Sequence, residues 1–203
     1  MIIEEFGPRV VSVWNHLRTT TRNLVERAWQ SSSSGASAPA RSQQYDPRAD
    51  QELSQLLAAL DEHAGQIATA PDSPDGARAR RLADACAELL SQQTQSAEVF
   101  AHLIERAHQR KDFARVDVLA GMLPERLAPS ELCELARANN VVVRALAQEA
   151  LTQLPTKLLA TLLHDPVDSI VARQALERQA AEFGSAEAQR ALRDFDEAGI
   201  DGY

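Results

Sequence analysis

The side chains in this sequence that would hold a metal ion or attack a substrate are its histidines and cysteines. The five histidines are His16, His63, His102, His108 and His164. A helical zinc site needs ligands at i and i+4, and no two of these histidines have that spacing. Cys86 and Cys133 each lie in an apolar helical pattern, where a small buried thiol is expected. These residue types therefore predict no metal ion, no cofactor and no catalytic site.

The motifs that cradle phosphates or present nucleophiles are also missing from the sequence. It contains no G-x-x-x-x-G-K-[ST], no G-x-G-x-x-G and no G-x-S-x-G. Neither a phosphate-binding loop nor a nucleophile elbow therefore has a basis in the sequence. We therefore predict that this protein is not an enzyme.

The charge balance argues against a polyanionic partner. The 203 residues include 21 Lys and Arg against 29 Asp and Glu, for a net charge of −8. Nucleic-acid binding needs clustered cations, and the loose arginine cluster in residues 96–128 is balanced by as many carboxylates. No nucleic-acid partner is expected. Two cysteines without a disulfide framework and the lack of a long apolar run predict a cytoplasmic protein.

The elements that must position any site are helices. Start signals precede runs of Leu, Ala and Val at helical spacing, with Asp50, Ser96, Asp112 and Asn140 each in a capping position. No segment shows the alternation of apolar and polar residues that is typical of strands, and no hairpin signal separates apolar runs. The sequence predicts an all-α fold.

Composition divides the chain into four regions. Residues 1–30 form an amphipathic helix, and residues 31–49 are rich in Ser and Pro, which predicts a flexible linker. Residues 50–197 form the main helical domain, and residues 198–203 form a tail. Prolines and glycines such as Pro124 and Gly184 are expected between helices.

The main helical domain contains an internal repeat. Residues 129–141 (PSELCELARANNV) align with residues 155–167 (PTKLLATLLHDPV) at an offset of 26, so that Val141 matches Val167. The helices that follow align at an offset of 25, and a weaker third copy covers Val99 to Leu123. Each copy predicts a short helix, a polar turn and a longer helix. Such pairs bury both faces only by stacking on one another.

The stretch P-x-x-L-L-x-x-L-L-x-D-P-V and the A-x-x-A-L helices after it resemble HEAT-like and leucine-rich-repeat-variant proteins. This resemblance covers residues 97–197 and implies an α-solenoid that presents a surface to a protein partner. It implies no catalytic residue. In such a stack we expect Leu158 and Leu162 to lie in the core.

The N-terminal segment is the candidate recognition element. Phe6, Val10, Trp14 and Leu17 lie along one face of its helix, the spacing that helix-in-groove binding uses. Threonines 19–21 predict a joint between two helices, because β-branched residues lose rotamer freedom in a helix. Three interpretations remain open: a cap packed on the helical domain, a docking or self-association helix, and a peripheral membrane contact.

The sequence as a whole predicts a non-enzymatic scaffold or adaptor that binds a protein partner through its helical repeats, its N-terminal helix or both. One alternative is a membrane-surface accessory protein that is anchored by residues 1–30. The other is an enzyme of unrecognised type on a HEAT-like frame, an inference that rests on fold analogy alone.

Overall fold

A computed structural model describes residues 3–34, 45–66 and 74–200, and in these residues every regular element is a helix, as predicted. The chain divides into two compact units, Met1–Thr94 and Gln95–Tyr203. This division differs from the predicted boundary at residue 50, because the first long helices of the predicted domain pack on the N-terminal helices.

The first unit is built from a 3-10 helix and four α-helices. They are the 3-10 helix Ile3–Phe6, α1 Gly7–His16, α2 Thr19–Ser34, α3 Pro47–Gln66 and α4 Pro74–Gln93. Helices α3 and α4 pack on each other, α1 packs on α3, and α2 packs on both α3 and α4. The N-terminal helix is thus not separate, which corrects the prediction. Its apolar face shares one core with the leucines of α3 because both would otherwise remain in water.

The predicted joint in the N-terminal segment is confirmed. α1 ends at His16, α2 begins at Thr19, and the buried Leu17 lies between them. The Arg22 guanidinium closes this joint by donating to the backbone carbonyl of Trp14 at 3.1 Å and to that of Asn15 at 2.6 Å. These bonds supply donors to carbonyl groups in the last turn of α1, where the Trp14 carbonyl also accepts the backbone N–H of Leu17 at 3.2 Å.

α3 begins earlier than predicted. The carboxylate of Asp46 accepts the backbone N–H of Arg48 at 3.0 Å, and the helix starts at Pro47 instead of Asp50. Arg18 donates to Asp46 at 2.9 Å and to Glu52 at 2.8 Å, which ties the α1–α2 joint to the start of α3. Of the predicted linker, Ser31–Ser34 continue α2, whereas residues 35–44 lie outside the described residues.

Asp50 is consequently a buried residue of the first turn of α3, with 2 % of its surface exposed. Burial raises the pKa of its carboxyl group, because the charged form loses hydration, and the negative charge of Asp46 acts in the same direction. Hydrogen bonding with Thr94 and Tyr45 opposes this rise. A carboxyl group whose pKa is raised by folding stabilises the folded state below its unfolded pKa, and this contribution is lost as the pH rises through the folded pKa.

We therefore expect Asp50→Asn to gain stability relative to the wild-type protein as the pH rises above about 4, the pKa of an unfolded Asp. The chain has two tryptophans, Trp14 and Trp29, and both lie in the first unit, so urea unfolding followed by their fluorescence reports on this unit. A difference in unfolding free energy that does not change with pH would contradict the assignment.

The matched control is Asp46→Asn, for which the opposite trend is expected. Burial opposes the shift there, but hydrogen bonds from Arg18 and from the backbone N–H groups of Arg48 and Ala49 lower the pKa of Asp46. Its charged form therefore stabilises the fold above the unfolded pKa. Asp46→Asn should lose stability relative to the wild-type protein as the pH rises.

The second unit contains seven helices in its described residues. They are α5 Ala97–Gln109, α6 Phe113–Arg126, α7 Pro129–Ala136, α8 Val141–Thr152, α9 Thr156–Leu162, α10 Ser169–Glu182 and α11 Ala186–Ile200. Helices pack as consecutive pairs, α5 with α6, α7 with α8 and α9 with α10. The first helices also contact in succession, α5 to α7 to α9 to α11, and so do the second helices, α6 to α8 to α10.

Three predicted caps in this unit are confirmed. The side chains of Ser96, Asp112 and Asn140 accept backbone N–H groups at the starts of α5, α6 and α8. Pro124 was expected between helices but lies inside the last turn of α6. Gly184 does follow α10, where its φ of +65° reverses the chain at low cost.

The loop between α8 and α9 is held by a buried amide from α10. Gln179 is 5 % exposed, and its Nε2 donates to the backbone carbonyl of Thr152 at 3.0 Å and to that of Leu154 at 2.7 Å. Its Oε1 accepts the hydroxyl of Thr156 at 3.0 Å. The single side chain thereby satisfies two carbonyl groups at the end of α8 and fixes where α9 begins.

The register of α9 differs from the expectation. Leu159 and Leu163 are buried, whereas Leu158 is 44 % exposed and Leu162 is half-buried. The prediction that Leu158 and Leu162 form the core was wrong. The pairs 158/162 and 159/163 have the same i, i+4 spacing, so helical periodicity does not distinguish between them.

Because Leu159 is buried and Leu158 is exposed, replacing each of them by Asp should have very different effects on stability. Leu159→Asp should unfold the second unit, because it buries a charge without a partner. Leu158→Asp should change the unfolding free energy by less than about 1 kcal/mol, since this position is 44 % exposed and a carboxylate there keeps its contact with water. Hydrogen exchange of the α9 and α10 amides measures both, with tryptophan fluorescence checking that the first unit stays folded. Equal effects of the two variants would refute this register.

Candidate functional site: an exposed apolar ridge

The turns inside the three helix pairs of the second unit lie at one end of the helices. Because α5 to α10 run alternately up and down with short connections, α6, α8 and α10 all begin at this end. We call the turns and the first four residues of each following helix the turn edge. It comprises residues 110–116, 137–144 and 163–172.

Side chains from one turn fix the next turn along this edge. Arg137, which follows α7, donates to the Asp168 carboxylate at 2.7 Å and to the Val167 carbonyl at 3.3 Å, just before α10. Asp165 accepts the backbone N–H groups of Val167 and Asp168, and these bonds lower the pKa of its carboxyl group. Arg144 donates to the Ala138 carbonyl at 2.8 Å. The edge is therefore held together by charged hydrogen bonds to the backbone.

The turn edge exposes large apolar side chains. Phe113 and Val141 are the first residues of α6 and α8, and they are 59 % and 66 % exposed. Val167 and Ile170 stand on either side of the start of α10 and are 64 % and 70 % exposed. We call these four residues the apolar ridge. They add nothing to the core, and exposed apolar residues grouped in this way mark contact surfaces more often than isolated ones do.

A groove lies between α8 and α10. Its volume is about 400 Å³, and Leu151, Val171 and Ala175 contribute buried apolar surface to it. Ile170 lies four residues before the groove residue Gln174, so the ridge and the groove share one face of α10. Near the other end, Arg178 bonds to Glu149 at 3.2 Å and to Glu182 at 3.1 Å.

The charges of the turn edge differ in sign from those of the rest of the chain. The edge carries Arg110, Lys111, Arg115, Arg137 and Arg144 against Asp112, Asp165 and Asp168, five cations against three anions. Its net charge of +2 belongs to a chain whose total is −8. The cations belong to the first two turns, and two of the three anions belong to the turn before α10.

The residues predicted from the sequence to bind a partner lie in the first unit instead. Phe6, Val10 and Leu17 are buried against their neighbours, and Trp14 is half-buried. The apolar face that the docking, self-association and membrane interpretations all require is thus covered by the chain itself. Partner binding by these four residues stays a prediction, and it requires the first unit to open.

Sequence reasoning missed the apolar ridge, although the repeat contained a signal for it. Val141 and Val167 match in the repeat, each close behind the Asn or Asp of a polar turn, and Phe113 directly follows Asp112. Phe113 and Val141 face away from the core, whereas Val116 and Val143 in the same first turns are buried. The match of Val141 with Val167 indicated that the two positions are equivalent in the repeat, but it did not indicate that their side chains are exposed.

Cys133, on α7, lies in an environment that makes its thiol unreactive. The thiol is fully buried, and burial raises its pKa to about 11, with the negative charge of Asp168 acting in the same direction. Within residues 3–34, 45–66 and 74–200, no group of three or more His, Cys, Asp or Glu side chains is arranged to hold a metal ion. In the same residues, no helix has the length and apolar character needed to cross a bilayer.

These features define an all-helical protein with an exposed apolar ridge at the turns of its second unit. Comparisons of the chain with protein families, with curated proteins and with solved structures give no match.

The state of Cys133 leads to a labelling prediction. The folded protein at about pH 8 should leave Cys133 unmodified by iodoacetamide, because a thiol with a pKa near 11 is almost entirely protonated and its sulfur is inaccessible. The same treatment in urea should label it, as read by mass spectrometry of the peptide. Rapid labelling of the folded protein would show that this thiol is reactive after all.

Proposed function

We propose that this protein is a non-enzymatic scaffold or adaptor whose second unit binds a segment of a protein partner at the apolar ridge. The observation that carries this proposal is the exposure of Phe113, Val141, Val167 and Ile170 along one edge. Four large apolar side chains in water cost free energy that folding does not recover, and a partner that covers them would recover it.

We infer that α5–α10 form a short solenoid of HEAT-like helix pairs. Two observations support this: the first helices of the pairs contact one another in succession, and the second helices do the same. Stacking of this kind repeats equivalent positions at regular distances along an edge. A ridge with one or two members in each pair is what such a surface offers to an elongated ligand.

The hydrogen bonds that order the turns support a binding role for the exposed ridge residues. Arg137 and Asp165 hold the turn before α10 through bonds of 2.7 to 3.3 Å. A surface that is already ordered loses less conformational entropy when a partner binds. The buried Cys133 beside this turn, with its raised pKa, offers a partner no nucleophile.

The test is a selection of displayed random peptides on the immobilised full-length chain, repeated with the variant Phe113→Gln/Val141→Gln/Ile170→Gln. The variant should retain its unfolding free energy, since each substitution of an exposed residue changes it by about 0.5 kcal/mol or less. Peptides selected by the wild-type chain should bind the variant at least about 10-fold more weakly, because the anchoring apolar contacts are lost.

The matched control is Val118→Gln/Leu158→Gln/Phe183→Gln. These three residues are also large, apolar and exposed, at 46 %, 44 % and 63 %, but they lie outside the turn edge. The control should bind the selected peptides as the wild-type chain does. The proposal is overturned if no selected peptide loses affinity for the ridge variant, or if the control loses as much.

A further inference from the structure

The distance between ridge positions selects the conformation of a ligand. α6, α8 and α10 pack side by side, so consecutive ridge positions are separated by about 8–10 Å, the usual distance between packed helix axes. Residues seven apart on a helix share a face and are separated by about 10.5 Å. In a strand, residues that share a face recur every ~6.8 Å or ~13.6 Å, which fits this spacing less well.

The charges at the three ridge positions determine where a bound ligand should carry charges of its own. Arg110, Lys111 and Arg115 lie on either side of Phe113 in the sequence and outnumber the adjacent Asp112. At the second position Arg144 follows Val141, and Arg137 is engaged with Asp168 of the next turn. The third ridge position differs, because Asp165 and Asp168 precede Ile170. The Asp168 carboxylate is paired with Arg137 at 2.7 Å, which leaves the negative charge of Asp165 at this position. The surface is therefore positive over two ridge positions and negative at the third, within a chain that is acidic overall.

From these two observations we propose that the ridge binds an amphipathic helix of a partner protein, with apolar residues at i, i+7 and i+14. The half of this partner helix that lies over Phe113 and Val141 carries Glu or Asp. The half that lies over Ile170 carries neither. This inference rests on the proposed function and adds the conformation and charge of the ligand. Charge complementarity of this kind determines specificity and the rate of association more than it does affinity.

Two other occupants fit the ridge less well. An anionic membrane surface would meet a net charge of only +2 on the edge and would repel a chain of net charge −8. A second copy of the chain placed symmetrically, with the two ridges antiparallel, would bring the Arg144 side chains of both copies together at the middle position. Both remain outcomes that the experiment detects.

The probes are three designed helical peptides of about 16 residues, each with leucines at i, i+7 and i+14. They differ only at the positions that flank the first two leucines, which are Glu, Gln or Lys. Titration of the full-length chain, followed by fluorescence anisotropy, should give the tightest binding for the Glu peptide. The Glu peptide should bind about 10-fold more tightly than the Lys peptide at low salt, and this ratio should fall as the ionic strength rises.

Paired charge variants locate the effect. Arg110→Gln/Lys111→Gln should weaken binding of the Glu peptide about 3- to 5-fold and leave the Gln peptide unchanged. The control Arg126→Gln/Lys157→Gln removes the same charge at the other end of the helices, where α6 ends and α9 begins, and should have no effect. Ridge-dependent binding with no preference for Glu, or with equal losses in the two variants, overturns the inference and leaves the proposed function standing.

Two further measurements test the competing occupants. Cosedimentation with vesicles that contain phosphatidylserine should show no binding, and sedimentation equilibrium should show no self-association that the Phe113→Gln/Val141→Gln/Ile170→Gln variant removes. A ridge-dependent signal in either measurement assigns the surface to lipid or to a second copy and overturns the inference. If the ridge also selects no peptide from the random library, the proposed function itself has failed.

Discussion

The stacking of the pair α9–α10 on the pair α7–α8 is stabilised by the buried carboxamide of Gln179. This side chain of α10 satisfies two carbonyl groups at the end of α8 and the hydroxyl of Thr156, so three helices meet at one amide. A buried carbonyl without a donor costs about 1–3 kcal/mol, which makes other registers of α10 against α8 unfavourable. The positions of Val141 and Ile170 along the edge follow from this register, since they stand on the same two helices.

The polar residues of the turns and the exposed residues of the apolar ridge are structurally linked. Asp112, Asn140 and Asp165 bind backbone N–H groups and hold the turns, so the residues that follow them are not needed for the hydrophobic core. Phe113 and Val141 come directly after two of these residues and project from the ends of their helices. Stability is supplied by caps and core, and these apolar positions remain exposed.

The first unit shows how a segment with the pattern of a docking helix becomes part of a core. Arg18 bonds Asp46 and Glu52, and Arg22 closes the joint between α1 and α2, so the chain reverses and α1 meets α3. Phe6 and Val10 are then buried where α1 packs on α3, and the Phe6 ring meets the His63 ring edge to face. An amphipathic face needs a cover, and the nearest apolar surface competes with any partner by its high local concentration.

The sequence by itself determined the helical class, the caps at Ser96, Asp112 and Asn140 and the repeated helix pairs, because these features depend on residues a few positions apart. It did not determine whether Leu158 or Leu159 faces the core, since both fit the same periodicity. Nor did it determine that Phe6 is covered while Phe113 is exposed. Only the tertiary structure decided these points, because burial depends on which surfaces from distant parts of the chain come together.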